Sequence, residues 1–296
     1  MAWFERMNEA LDYIEDHLLT YVDMTEVAKI TCCSISSFQR MFSAATDVSL
    51  SEYIRRRKLT LAAFELQHSS MKIVDLALKY GYDSPEAFTR AFNIIHGKTP
   101  SAAREQGVTL TAYPRISFLL TVRGAVAMNY RIESKEAFVI YGIEEMFSME
   151  NGENLRVIPQ FWQAAHQDGR IDKLIQSTNM LSEAPNELCL VNAIFDYRSA
   201  EEEQTFPYML FAYKTNRSDT HGYREVTVSA GTWAIFRTEN HTMEKTDEAI
   251  QDLIKRVYTE WLPTADYEKI DGCDMELYYN CGSACWSEIW IRVRSK

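Results

Sequence analysis

The tightest constraint on this chain is one pattern that occurs twice between Thr25 and Arg104. A short amphipathic helix with an internal alanine, a tight turn, and a second helix ending in aromatic–x–Arg–x–Phe is written VAKITCCSISSFQRMF over Val27–Phe42. It returns as VDLALKYGYDSPEAFTRAF over Val74–Phe92. Two helices crossing closely need a small residue at the crossing, supplied by Ala28 and Ala77. The turn needs a residue tolerant of positive φ, supplied by Gly81 in the second copy. Each second helix opens on a capping serine, Ser34 or Ser84, and shows polar residues such as Ser36 and Ser37 on its first turns. Phe38 and Phe42, or Phe88 and Phe92, back them with apolar bulk. This is the layout of a helix-turn-helix, in which one α-helix enters the major groove of double-stranded DNA while its predecessor braces it on the phosphates. Gln39 and Arg40 in the first copy, and Thr89 and Arg90 in the second, are the side chains expected to turn toward DNA.

Net charge speaks against a nucleic-acid partner if taken whole, because the 296 residues sum to −11. Divided, it speaks differently. Residues 31–104 hold ten Lys/Arg against six Asp/Glu, a balance of +4, whereas residues 108–296 hold 19 against 28, or −9. A modestly basic module is joined to a strongly acidic one, and only the former is suited to phosphate. With 46% hydrophobic and 25% charged residues, the chain is long enough for two globular domains. No run approaches the roughly 18–20 apolar residues of a membrane span, and the acidic N-terminus reads as a helix. A cytoplasmic location is the expectation. The cysteines Cys32, Cys33, Cys189, Cys273, Cys281 and Cys285 show no CxxC spacing, so free thiols are expected and no metal or cofactor.

Along the N-terminal part nearly everything reads as helix. Met7, Leu11, Ile14 and Leu18 recur at helical spacing, and Ser49–Leu66 forms a long helix. On it Tyr53, Ile54, Leu59, Leu61 and Phe64 are expected to face inward, and Arg55, Arg56, Arg57 and Lys58 to form a basic belt within reach of phosphate. Gly, Thr and Pro break the pattern near Gln106–Pro114, which divides the chain into a domain over 1–107, a linker over 108–127 and a second domain over 128–296. Beyond the break the texture is alternating and aromatic, as in FVIYGIE (138–144), LCLVNAIFD (188–196), YMLFAYKT (208–215), TWAIFRTE (232–239), DMELYYN (274–280) and SEIWIRVRS (287–295). Helices are expected near Val157–Ile175 and over Glu244–Leu262, where an apolar stripe is stopped by Pro263. The order is ββ-helix-ββ twice over. It predicts an all-α tandem helix-turn-helix domain followed by an α+β domain of two pseudo-repeats around a curved antiparallel sheet.

The closing segment GYDSPEAFTRAFNIIHGKTPSAAR (Gly81–Arg104), with SISSFQRMF before it, makes the N-terminal part resemble the DNA-binding domain of the AraC/XylS family of bacterial transcription regulators. The resemblance implies two recognition helices in successive major grooves, roughly 34 Å apart, and RNA polymerase as a further partner. It places base reading at Ser36, Gln39 and Arg40, and at Pro85, Glu86, Thr89 and Arg90. Cys32 departs from the family, standing where glycine is frequent. Pro85 and Glu86 suit a helix N-terminus but supply no cation, so the first helix is expected to dominate sequence reading and the second to position it.

The second half, through MNYRIESKEAFVIYGIEE, VSAGTWAIF, MELYYN and SEIWIRVR, resembles the GyrI-like effector-binding domain. That resemblance implies a small-molecule effector, cationic and hydrophobic, met by a glutamate among aromatics between the two pseudo-repeats. The matching residue is Glu276. Strand alternation puts Tyr278 beside it and turns Met275 and Leu277 to the other face, under the helices. Trp233, Trp290 and Tyr141 are further ligand-binding candidates. A ligand-responsive transcription regulator follows. The alternatives are a domain that hydrolyses a reactive small molecule, with Glu276 activating water, or an acidic domain that sequesters a protein partner.

Overall fold

The computed structural model describes residues 3–105, 107–118, 127–148, 153–180, 189–198, 205–280 and 285–296. The chain falls into two compact units, Met1–Thr31 with Val48–Leu120, and Cys32–Asp47 with Thr121–Lys296. The second unit thus takes in Cys32–Phe42 of the first helix-turn-helix copy, together with the rest of the helix α3 (Ile35–Thr46).

The first unit is helical: α1 (Trp3–Asp16), α2 (Met24–Thr31), α4 (Leu50–His68), α5 (Ile73–Lys79), α6 (Pro85–His96) and a 3-10 turn at Ala102–Arg104. Its core joins Leu59, Ala63 and Leu66 of α4 to Leu76 and Ala77 of α5 and to Phe88 and Phe92 of α6. Ala77 is fully buried, as the small residue at a helix crossing should be. Ser84 caps α6 by accepting from the Ala87 N–H at 3.1 Å, and Pro85 sits in the first turn. Both turns use a left-handed residue: Gly81 has φ 80°, and Cys32 takes φ 53° despite its side chain. The departure from glycine at Cys32 therefore leaves the turn conformation in place, at the modest cost of a Cβ in that region.

Two expectations for α4 are corrected. Phe64 does not face inward but is half exposed. The basic belt is not a uniform solvated face either. Arg57 turns in to a bidentate pair with Glu15 of α1, at 2.8 and 3.1 Å from Nε, and donates to the Tyr113 carbonyl at 2.7 Å. Arg55 and Arg56 both pair with Glu52 one turn back. Residues 108–118 lie as an extended strap on the same helices. Asn8 exchanges two hydrogen bonds with the Phe118 backbone, at 2.8 and 2.9 Å, as a strand partner would. Thr60 accepts from the Tyr113 N–H at 3.0 Å.

The second unit holds β1 (Tyr130–Lys135), β2 (Phe138–Ser148), α7 (Glu153–Gln167), α8 (Arg170–Ser177), β3 (Asn192–Phe195) and β4 (Thr205–Tyr213). After them come β5 (Arg224–Val228), β6 (Gly231–Arg237), α9 (Thr246–Arg256), β7 (Tyr267–Lys269), β8 (Asp274–Asn280) and β9 (Cys285–Ser295). The helix expected over Val157–Ile175 is two helices, broken at Gly169 with φ 76°. A π-helical turn, Val257–Trp261, continues α9 toward Pro263.

Strand order is β1-β6-β9-β8-β3-β4-β2-β5, antiparallel throughout, with β7 added on β9. Exchanging β1 with β5, β2 with β6, β3 with β8 and β4 with β9 returns the same order reversed. The two pseudo-repeats are therefore related by a pseudo-dyad that runs between β3 and β8. The sheet must also curl. β6 and β5 stand six strand steps apart, about 29 Å if flat, yet Val228 and Gly231 are three Cα steps apart, at most about 11 Å. Its inner face packs on itself through Ile140, Ile194, Phe211, Trp233, Met275 and Trp290. Its outer face carries Ala193, Phe195, Tyr208 and Tyr278 and is covered by Phe161 and Ala165 of α7 and Leu174 of α8. Met275 and Leu277 thus lie inside the curl, opposite to the expectation, and the helices cover the face of Glu276 and Tyr278.

Candidate functional site

A cavity of about 1120 Å³ opens on that outer face. Its floor is the central strand pair, where Ala193 stands opposite Glu276 and Phe195 opposite Asp274. One wall is Ile158 and Trp162 of α7, and the facing wall is Ile250 and Ile254 of α9. The pseudo-dyad places the site here, because it is where the helices of the two repeats diverge over the shared floor.

Glu276 is held by chemistry that suits a cation. Its carboxylate accepts from the Tyr278 hydroxyl at 2.8 Å, and Tyr278 meets the edge of Trp162 at 5.3 Å between ring centres. Trp162 in turn donates to the Tyr208 hydroxyl at 2.8 Å, and Tyr208 stacks parallel to Phe195. Burial pushes the Glu276 carboxyl above the usual carboxylate range, against the opposing pull of the Tyr278 hydroxyl and of Arg40. Burial, with the nearby Glu276 charge, likewise drives the Tyr278 and Tyr208 hydroxyls well up, so both stay neutral donors. Six carboxylates, Asp47, Asp196, Asp247, Glu248, Asp252 and Glu276, line the cavity against the fixed cations Arg40 and Lys255. A half-buried carboxylate among aromatic faces is short of solvent and gains most from a ligand that brings a positive charge and apolar surface together.

The other aromatic candidates lie elsewhere. Trp233 is fully buried inside the curl, edge-on to Trp290 at 5.9 Å. The cation over its ring is Arg292, 5.1 Å from the centre and itself held by Ser229 and the Ala230 carbonyl. Trp290 donates to Glu288 at 3.0 Å, and Tyr141 is committed to Ser177 at 3.0 Å and to the ring of Tyr223. None of the three lines the cavity. Strand parity explains the two tryptophans, since both side chains point to the inner face. Residues missed in the sequence were Trp162, Tyr208 and Phe195. Trp162 comes from α7, Phe195 from the neighbouring strand β3 and Tyr208 from β4 beyond it, so only the tertiary arrangement brings them to the cavity.

Cys281 lies outside the described residues. Among the described residues no cluster of His, Cys, Asp and Glu is arranged to hold a metal, and burial pushes the Cys273 thiol up to about 11. Nor, among them, is any helix long and apolar enough to cross a membrane.

The DNA-reading candidates divide sharply. On α6, Glu86 and Arg90 are exposed and Thr89 is half-buried. On α3 every candidate is engaged or buried within the second unit. Ser34 and Ser36 donate to the Asp196 carboxylate at 2.9 and 2.5 Å, and Ser37 reaches it at 3.4 Å. The Ser34 N–H donates to Asp271 at 2.5 Å. Gln39 is buried, and Arg40 pairs with Asp274 while lying over the Phe195 ring. Asp196 itself sits at φ 60°, a left-handed turn at the end of β3 that aims its carboxylate at the N-terminus of α3. Ser36, Arg40, Ser43, Ala44 and Asp47 of α3 also line the cavity.

Comparison with known proteins accords with both halves. Residues 128–294, more than half of the chain, match the family described as GyrI-like small molecule binding domain, and residues 27–106 match a helix-turn-helix domain. The Transposon Tn10 TetD protein of Escherichia coli is 40% identical over 98 residues, 33% of this chain and 71% of that protein. Regulatory protein SoxS of Salmonella typhimurium is 38% identical over 96 residues, 32% of this chain and 90% of its own. The Right origin-binding protein of Escherichia coli K12 is 24% identical over 297 residues, covering 97% of this chain and 95% of that one. The chain therefore belongs to the AraC family of ligand-responsive, DNA-binding transcription regulators, its C-terminal half being a GyrI-like small-molecule-binding domain.

Proposed function

We propose that the effector is a hydrophobic cation and that it binds in the cavity on the pseudo-dyad, with Glu276 as its counter-charge and Tyr278, Trp162 and Tyr208 as its aromatic walls. The observation that carries this reading is the Glu276 carboxylate, half-buried between aromatic rings and lining a cavity with six carboxylates and two fixed cations. Tetraphenylphosphonium, a lipophilic cation without hydrogen-bond donors, is a suitable probe. Calorimetry should show it binding the full-length protein in preference to neutral triphenylphosphine oxide, and Glu276→Gln should remove that preference. Equal binding of the two probes would defeat the reading.

DNA reading is assigned to Ser34, Ser36, Ser37, Gln39 and Arg40 of α3 and to Ser84, Glu86, Thr89 and Arg90 of α6. The exposed Arg90 suits guanine or phosphate, and Glu86 suits a cytosine amino group. RNA polymerase recruitment and a cytoplasmic location are part of the same reading. Turnover of a bound probe, measured alongside the calorimetry, would favour the hydrolytic alternative over sensing.

A further inference from the structure

Arg40 holds two positions in the molecule. It is the cation of the first recognition helix, and it lines the same cavity as Glu276, on which its charge acts. Asp274 and Glu276 point to the same side of β8, two residues apart, and the ion pairs around them share charge. Asp274 lies 3.1 Å from Lys269 Nζ and also pairs with Arg40, with the Tyr258 hydroxyl at 3.5 Å. Two carboxylates thus face two cations, and Lys269 alone is enough to neutralise Asp274. Arg40 is the only member of this group that does not come from the C-terminal domain. The N-terminus of α3 is held in the same manner. Its serine hydroxyls and its first free N–H donate to Asp196 and Asp271, which take the place that a phosphate takes at a DNA-bound helix terminus.

Resting on the cationic-ligand reading above, we propose that Arg40 is the resident cation of the effector cavity, and that an incoming cation displaces it and so releases α3 to read DNA. A second positive charge at Glu276 repels Arg40, whose own charge already acts on that carboxylate. Of the two protein cations, Arg40 is the one whose departure is compensated, because phosphate and guanine offer it equivalent acceptors. Ligand and Arg40 oppose one another in the cavity, whereas ligand and DNA favour one another, and by linkage each raises the affinity of the other equally.

The test uses the full chain and tetraphenylphosphonium. Arg40→Met removes the competing charge at similar length, and the probe should bind this variant about tenfold more tightly than it binds the parent, within the usual range of coupling between sites. Asp271→Asn, which loosens the N-terminus of the same helix and does not line the cavity, should shift affinity in the same direction and serves if Arg40→Met does not fold. In the parent protein a saturating probe should speed backbone hydrogen exchange over residues 35–46. If the parent binds the probe but the variants bind it no more tightly, or if exchange over 35–46 is unchanged or slowed, the displacement mechanism is wrong while the cavity assignment stands. If neither the parent nor the variants bind the probe, the cavity assignment itself fails and takes the mechanism with it.

Discussion

The guanidinium of Arg40 lies 3.9 Å from the centre of the Phe195 ring. Phe195 is the register partner of Asp274 across the central strand pair, so a side chain of the first recognition helix rests on the pseudo-dyad of the effector domain. This contact joins the two chemistries of the chain in one place.

Glu276→Gln keeps the shape of the cavity and deletes its charge, so tetraphenylphosphonium affinity should fall at least tenfold by calorimetry. Binding by the parent should also weaken as pH falls. Because burial raises the Glu276 carboxyl above its ordinary value, protonation begins to compete with the cation at a higher pH than for an exposed glutamate, and below that point affinity declines with each unit. The same raised value means that this group favours the folded state at low pH, and that the contribution is lost as pH rises through the folded value. Acid should therefore weaken ligand binding before it weakens the fold. A pH-independent affinity from neutrality downward would exclude Glu276.

Asp196→Asn should tighten DNA binding in the absence of ligand by about five- to tenfold, since it weakens the acceptor that holds Ser34 and Ser36. Fluorescence anisotropy with the DNA upstream of this protein's own coding sequence, against a shuffled duplex, measures it. Unchanged affinity for both duplexes would mean that α3 is not restrained by this carboxylate.

Arg90→Ala on the exposed face of α6 should weaken binding to the same DNA by about 1–3 kcal/mol if it reads a base. A loss of equal size on the shuffled duplex, with a shallower salt dependence, would instead identify a phosphate contact.

Arg57 and Arg55 stand two residues apart and should behave oppositely. Arg57→Ala leaves Glu15 buried without its cation and should cost about 3 kcal/mol in urea unfolding. Arg55 is 40% exposed, and its pair with Glu52 should matter by less than about 1 kcal/mol. Similar losses from both would contradict the inward role given to Arg57.

Trp233→Phe should destabilise the domain by about 1–3 kcal/mol through loss of packing under Arg292, with no change in tetraphenylphosphonium affinity. A selective loss of cation binding would return Trp233 to the ligand site.

Much of this molecule was legible from pattern. The duplicated helix-turn-helix showed because small, capping and aromatic residues recur at the spacing that two crossing helices require. The pseudo-repeat of the C-terminal half showed because strand alternation and an apolar helical stripe occur twice. Glu276 and Tyr278 fell on one face for the same local reason, the two-residue period of a strand. Which face was covered by helices was not legible. That depends on the direction in which the sheet curls, and the curl is imposed by the short β5–β6 connection acting across six strand steps. Trp233 and Trp290 share the face of Met275, opposite to Glu276, because of the register between strands rather than the curl, and Trp162, Tyr208 and Phe195 reach the cavity from α7, β4 and β3.

Local chemistry along the chain thus determined the elements, their order, the family and the shared strand face of Glu276 and Tyr278. Tertiary structure alone decided what surrounds that carboxylate and what α3 touches. Ser34, Ser36 and Arg40 are polar residues at the start of a recognition helix, and nothing in their spacing distinguishes a phosphate partner from Asp196 or Asp274, which are more than 150 residues away. Hydrogen bonds and ion pairs are specified by position in space, and a sequence period encodes only the side of an element from which they start.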